Sequence, residues 1–468
     1  MASKLATTRL ADLCELVVDC PHSTPEWTDS GFIVLRNQNI RNGVLDLSSP
    51  SFTNKDCFLS RIKRAKPQEG DLVITREAPM GEVCLIPAGL ECCLGQRQVL
   101  LRPRKGVSGH YLFWALQSPY VQHQISWNEG TGTTVSNIRI PILKELNIPR
   151  LLDSEDAVAS CLNSLANKIT LNRQINQTLE QMAQALFKSW FFDFDPVVDN
   201  ALDAGFFEQN SDLPEALLRR AEQRKAVRQR PDFKPLPAET RQLFPDAFEE
   251  CEEPSLGLGG WVPKGWAGRS VSEAITVNPK VKLAKGEMAA FVDMKSLPTT
   301  GYSIEDVDRK AFSGGAKFKQ HDVLFARITP CLQNGKTGFV DFLSDNENGF
   351  GSTEFIVLRG NEFVDCTYVA CLARHESFRQ HAMQSMVGSS GRQRVQNSCF
   401  DDFFIVIPPQ NIMNKFAGIV STSFKKLKTN SDEIISLANV RDTLLPKLIS
   451  GELRLNDDGT LASGNTDS

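Results

Sequence analysis

The chain has 468 residues, 41% hydrophobic and 23% charged, with a net charge of −4. This composition excludes a fibrous or wholly disordered chain and leaves room for two or three domains whose cores need neither disulfide nor metal. The slightly acidic balance also excludes a protein that coats nucleic acid through bulk charge, so DNA contact would have to come from local patches or from a more basic partner.

The twelve cysteines include no CxxC pair, the nearest being the adjacent Cys92 and Cys93, and the six histidines do not join them at metal-ligand spacing. They read as reduced thiols of a cytoplasmic protein, with no metal site. The start of the chain, MASKLATTRL, lacks the apolar core of a secretory signal. No apolar run reaches the ~18 residues of a membrane span, so no membrane partner is expected.

In chain order, residues 1–152 carry short β-rich runs (GFIVLRNQNI, GDLVITR, QVLLR) separated by Gly, Pro and Asn turns, then a helical stretch, HYLFWALQSPYVQHQI. Residues 153–194 read as a long helix starting at the N-cap candidate Asp153. Residues 195–260 read as a linker with one charged helix from Leu213 to Arg230. Its arginines 219, 220, 224, 228 and 230 are candidates for phosphate contact, against the alternative of a solvated face. Residues 261–411 return to β-rich runs (DVLFAR, TGFVDFL, EFIVLR) and a helical stretch, TYVACLARHESFRQHAM. Residues 412–452 read as a second long helix, expected to break near Pro446 or Gly451. Residues 453–468 are polar and expected to be disordered. The globular parts follow an α+β pattern, without the strict alternation of a doubly wound sheet.

The chain repeats itself. GDLVITR from Gly70 matches HDVLFAR from His321, pairing Asp71 with Asp322 and Arg76 with Arg327. VLLR ending at Arg102 matches IVLR ending at Arg359. A Gly/Thr loop, 130–134, matches a Gly/Ser loop, 388–391, and each leads to an apolar stretch closing on Pro149 or Pro408. In the long helices, seam positions alternate by four and three. They run Val158, Leu162, Leu165, Ile169, Asn172, Asn176, Leu179, Ala183, Leu186, Trp190, and again Phe416, Val420, Ser423, Leu427, Asn430, Ile434, Leu437, Arg441, Leu444, Leu448. Such a stripe has to bury against another helix. Two antiparallel coiled-coil helices joining two similar domains are therefore expected, the alternative being two amphipathic helices packed on their own domains. Polar seam residues such as Asn172 and the equivalent Asn430 lower stability but fix register.

Catalytic signatures are missing. PCLQNGKT, ending at Thr337, has Pro330 where a phosphate-binding loop needs glycine, and it runs into a strand-like segment. DFDPVV from Asp193 only superficially approaches the Asn/Asp-Pro-Pro-aromatic loop of an amino-methyltransferase. No GxSxG elbow is present.

The motifs together resemble the specificity (S) subunit of Type I restriction-modification systems. The resemblance rests on GDLVITR and HDVLFAR, on GTGTTV and GSSGRQRV with their trailing NIP and VIPP, and on LEQMAQALFKSWFFDFDPV and LANVRDTLLPKLISGEL. The linker ending LFPDAFEE…GWVPKGW adds to it. It implies two target-recognition domains, each reading one half of a split double-stranded DNA site, with the paired helices setting the gap. It implies as partners two modification (methyltransferase) subunits docked on the helices, and motor-nuclease restriction subunits. It places S-adenosylmethionine, ATP and Mg in those partners and no cofactor in this chain. Leu179, Leu186, Trp190, Leu437 and Leu444 are the candidate partner contacts. Two other readings stay open: a coiled-coil adaptor that binds only proteins, and a nuclease or methyltransferase with an unrecognised site.

Bases are read by side chains that reach their edges, Arg suiting guanine, Asn or Gln adenine, and Glu cytosine. Gln96 and Arg97 align with Thr353 and Glu354, as two domains reading different bases require; surface strand-end variation is the alternative. Thr131, Thr133, Thr134, Ser389, Ser390, Arg392 and Arg394 offer hydroxyls and guanidinium groups on the glycine loops, which otherwise are plain turns. Arg36, Asn37, Gln38 and Asn39 form a further polar cluster. Arg76 and Arg327 share a repeat position and so a common structural or phosphate role.

Overall fold

The computed structural model describes residues 5–127, 137–389 and 391–456. The chain divides into two compact units, Met1–Thr170 with Ile434–Ser468, and Leu171–Glu433. The loop positions Thr131, Thr133, Thr134 and Ser390 and most of the tail read as disordered lie outside the described residues.

Each unit is built on a four-stranded antiparallel sheet. In the first the order is Cys14–Asp19, Gln98–Pro103, Leu72–Thr75, Val83–Leu85; in the second it is Thr276–Val277, Phe355–Arg359, Val323–Ala326, Thr337–Phe339. Successive strand residues point to opposite faces. Leu72, Ile74, Val99 and Leu101 pack against helices, while Val73, Cys84 and Leu100 pack toward a second sheet. The second unit repeats this with Val323, Phe325, Ile356 and Leu358 on one face and Leu324, Ala326 and Val357 on the other. Burial on both faces explains why DLVITR and DVLFAR carry apolar runs without a polar alternation.

The repeated Asp and Arg of those motifs form the same clamp twice. Arg102 grips Asp71 through Nε and a terminal nitrogen, both at 2.8 Å, and Arg359 grips Asp322 at 2.6 and 2.7 Å. Each carboxylate also accepts a backbone N–H, from Gln68 at 2.9 Å and Lys319 at 2.8 Å. A bidentate pair of this kind is strong and directional. It ties the turn before one strand to the end of its neighbour.

The second sheets diverge. In the first unit the order is Cys92–Leu94, Phe32–Leu35, Ser51–Thr53, Trp27–Thr28. In the second it is Ala316–Lys319, Asn348–Gly351, Met288–Val292, Asp308–Ala311. The parallel pair is shared: Leu94 lies beside Leu35 and Gly351 beside Val292. The fourth strand is added at opposite ends.

The first long helix spans Glu155–Phe191 and the second Gln410–Ile449. Pro446 lies inside the second, in its final turn, and does not end it. The chain turns at Gly451, which has φ +71° and tolerates that conformation for want of a Cβ. None of the twenty seam positions is exposed. Within the second unit, Phe187 meets Phe416 while Asn172 donates to Glu433 Oε2 at 2.8 Å, so the helices run antiparallel there. Asn430, fully buried, donates to Asn176 Oδ1 at 2.8 Å, and Asn176 donates to Ser431 Oγ at 3.3 Å. In the first unit Val158 and Leu162 share a core with Leu445 and Leu448.

Two expectations need correction. Residues 195–260 are more than a linker with one helix. They form helices Asp195–Asp203, Phe206–Gln209, Glu215–Arg228 and Ala238–Arg241, and place Val197, Leu217, Ala221 and Phe248 in the core of the second unit. Trp190, expected at a partner surface, is 1% exposed and packed on Phe244 and Phe416. Its large apolar ring contributes more as core than any exposed placement would. Leu179, Leu186, Leu437 and Leu444 are half-buried.

Candidate nucleic-acid interface

In the first unit five of the predicted residues converge. Arg36, Asn37, Gln38, Gln96 and Arg97 line a pocket of about 330 Å³ with Pro25, Trp27, Ala78 and Gly95. Two adjacent strands deliver them: Phe32–Leu35 ends at Arg36, and Cys92–Leu94 ends at Gly95. Gly95 is required there, because a Cβ would sit 2.4 Å from the Leu35 carbonyl oxygen. The Arg36 guanidinium lies over the exposed Trp27 ring at 5.3 Å, a cation–π contact. Gln96 Nε2 donates to the His22 carbonyl at 2.6 Å. Asn37 Nδ2 donates to the Glu77 carbonyl, while its buried Oδ1 has no partner. Arg97, at φ +65°, projects its side chain next to Glu77, with Nε 3.1 Å from Oε2.

Asn39 belongs to the scaffold. It is buried, accepts from the Arg36 N–H at 2.8 Å and donates to the Asp46 carbonyl at 2.9 Å, closing the turn that presents its neighbours. Arg76 is likewise spent internally. It pairs with Asp19 at 3.0 Å and donates to the Ile138 carbonyl at 3.1 Å. Arg327 takes the same place in the second unit, donating to the Val395 carbonyl at 3.0 Å. Of the two roles expected for this repeat position, these contacts favour the structural one: each arginine ties its strand to the segment that follows the glycine loop.

In the second unit the rim is built from Glu354 and residues 387–389 and 391–394. Val387 and Arg394 exchange backbone hydrogen bonds, both 3.0 Å, which places Ser389 and Arg392 on an exposed hairpin. Thr353 is exposed. Glu354 accepts from Arg394 Nε at 3.0 Å and from a terminal nitrogen at 2.7 Å. The Arg394 hydrogen bonds hold its carboxyl below the usual glutamate range. Glu354, expected to accept from cytosine, is thus already engaged by an arginine.

Sequence reasoning missed Trp27, Glu77 and Asn137, which donates to Glu77 Oε1 at 2.8 Å. Glu77 directly follows the repeated Arg76, and that adjacency was the only signal. The charged helix is corrected as a phosphate candidate at three positions. Arg220, Arg224 and Arg228 pair with Asp195, Asp199 and Asp203 of a neighbouring helix. Acidic and basic residues at matching four-residue spacing were visible in both segments, and such ladders satisfy each other before they meet a ligand.

The chain is similar to known proteins in sequence. The family of the Type I restriction modification DNA specificity domain matches residues 3–181. The specificity subunit of the Type I restriction enzyme MjaIX of Methanocaldococcus jannaschii is 24% identical over 415 residues, covering 86% of this chain and 81% of that protein. The HindI specificity subunit of Haemophilus influenzae is 28% identical over 320 residues, covering 66% of this chain and 69% of that protein. A crystal structure of a Type I restriction-modification S subunit from M. genitalium aligns with 95% of this chain and 96% of that chain, at 15% identity and a TM-score of 0.49. The chain is thus similar over residues 3–181 to the Type I restriction modification DNA specificity domain, and over most of its length to specificity subunits of Type I restriction enzymes.

Proposed function

We propose that this chain is the non-catalytic recognition subunit of a Type I restriction-modification complex. Its two rims each read one part of a bipartite site in double-stranded DNA. The observation that carries this reading is a duplicated frame with unlike rims. The Asp–Arg clamp and the Arg76 and Arg327 ties recur, while the side chains they present differ: Gln96 and Arg97 in one unit, Thr353 and Glu354 in the other. Repetition of backbone-fixing contacts with variation at the tips is what reading two different half-sites needs.

Two modification subunits bind the long helices, and motor-nuclease subunits join them. S-adenosylmethionine, ATP and Mg²⁺ act in those partners. The outward faces of the helices carry Leu171, Met182, Ile419, Ile435 and Val440, all exposed. Exposed apolar side chains on helix faces suit a protein partner. The helices also set the gap between half-sites, since inserting seven residues adds about 10 Å of rise without rotating the apolar stripe much.

The test is reconstitution with the modification subunits and measurement of adenine methylation on duplexes with varied half-site gaps. A seven-residue insertion made in both helices is expected to lengthen the preferred gap while leaving both half-site sequences unchanged. An unaltered gap would contradict the spacing role. Methylation without sequence preference would favour the protein-only adaptor.

A further inference from the structure

Each rim holds an arginine–glutamate pair built on the same backbone position. In the first unit an arginine, Arg97, follows the rim strand and is met by Glu77. In the second unit the position of Arg97 is taken by Glu354, and the arginine comes from Arg394. Backbone contacts fix the equivalence. The Arg76 N–H donates to the Arg97 carbonyl as the Arg327 N–H does to that of Glu354. Glu77 bridges to Asn137 as Ile328 bridges to Arg394, so Asn137 and Arg394 correspond. The charge at the shared position is reversed and its partner comes from a different place in each unit, but the pattern of exposure is the same. The arginine side chains are 53% and 45% exposed, and their carboxylate partners 22% and 23%. In both units the outward group is a guanidinium and the inward group orients it.

From this we infer that Arg97 and Arg394 each read a guanine, one in each half-site, with Glu77 and Glu354 as positioning residues. The inference rests on the reading of the chain as a DNA-specificity subunit. An arginine has five N–H donors in a rigid fork. Glu77 takes only the Nε edge of Arg97, and Glu354 takes Nε and one terminal N–H of Arg394. The remaining donors match the O6 and N7 acceptors of guanine in the major groove. The carboxylate also selects the class of ligand. A phosphate approaching the same guanidinium would meet a nearby negative charge, whereas the guanine acceptors are neutral. Holding the fork in place lowers the side-chain entropy lost on binding.

The test uses the complex reconstituted with modification subunits and a duplex set carrying every single-base change in the site, with methylation rate and salt dependence as readouts. Arg97→Ala is expected to reduce discrimination for one guanine in one half-site by about ten- to hundred-fold and to leave the other half-site intact. Arg394→Ala is expected to do the reverse. Arg97→Lys keeps the charge and the fold but should not restore selectivity. Glu77→Gln and Glu354→Gln should weaken selectivity at the same two positions without changing the salt dependence. The inference is overturned if Arg97→Ala slows all duplexes equally with a shallower salt dependence, which marks a phosphate contact. It is also overturned if the variants shift no guanine position while the wild-type complex remains sequence-specific. A wild-type complex without any sequence preference would instead overturn the recognition-subunit reading itself.

Discussion

The two units hold their rim strands by different means. In the first, Cys92–Leu94 is an edge strand, fastened by Arg61 of the helix Lys55–Arg61. The Arg61 guanidinium is buried and donates to the carbonyls of Leu94 at 2.9 Å, Gly95 at 2.8 Å, Ser23 at 2.9 Å and Pro21 at 3.3 Å. In the second, Asn348–Gly351 lies inside its sheet, covered by the strand Ala316–Lys319. One unit satisfies the open edge with a side chain and the other with backbone. The lesson is where divergence is tolerated. The sheet with the Asp–Arg clamp is kept, and the layer carrying the rim is rebuilt.

The largest expected effect tests the shared part. Asp322→Ala removes a fully buried carboxylate and leaves the partly exposed Arg359 and the Lys319 N–H without it, a loss of at most about 3–5 kcal/mol. Hydrogen exchange should show it as lost protection of Val323–Ala326 with Leu72–Thr75 unaffected, and Asp71→Ala should give the mirror result. Loss in both units from either variant would show that the two frames are not separately stabilised.

Next come the parts that differ. Arg61→Met removes four carbonyl partners, with an expected cost of about 2–3 kcal/mol confined to the first unit. Gly315→Ala attacks the other device, since its Cβ would stand 1.9 Å from the Gly351 oxygen at φ +114°. It should cost more than about 1 kcal/mol and loosen Asn348–Gly351 while leaving Cys92–Leu94 protected. Equal loosening of both rim strands by either variant would break the comparison.

Much of this organisation was legible in the sequence. The members of the clamp showed as repeats, Asp71 with Asp322 and Arg102 with Arg359, but that each Asp grips its Arg needed the folded strands. The seam showed because a buried helical stripe cannot hide its spacing. What stayed hidden was contact at long range. Arg61 meets Leu94 through a helix that no repeat marks, and Glu77 and Asn137 stand where the other half has Ile328 and Arg394, so their pairing is not repeated either. Arg394 was a loop candidate, but its pairing with Glu354 required the folded register. The charged helix looked like a phosphate face because its acidic partners lie in a different helix.

Smaller effects sharpen the second unit's account. The buried Asn430 Oδ1 has no partner, so replacing both Asn176 and Asn430 by Leu should gain about 1 kcal/mol in urea unfolding. A loss would mean that the polar pair stabilises as well as sets register. Burial raises the Asp341 carboxyl from 3.8 to about 6, with Lys428 opposing and Asp432 adding to the shift. The folded state therefore keeps this proton to higher pH than the unfolded chain does. Stability from this group is greatest below about pH 4 and declines as pH rises through about 6, on the order of 1 kcal/mol after solvent screening. Asp341→Asn should remove that decline, as read by thermal unfolding at pH 4 and pH 8; an unchanged pH profile would dismiss the assignment.

The most direct measurement of two unlike rims reading one divided site is a genome-wide map of methylated adenines in cells with and without this chain, its modification subunits present in both. The account predicts methylation only when the chain is present, at a motif of two different fixed elements separated by a constant unread gap. A single uninterrupted motif, or a map indifferent to the chain, would contradict it.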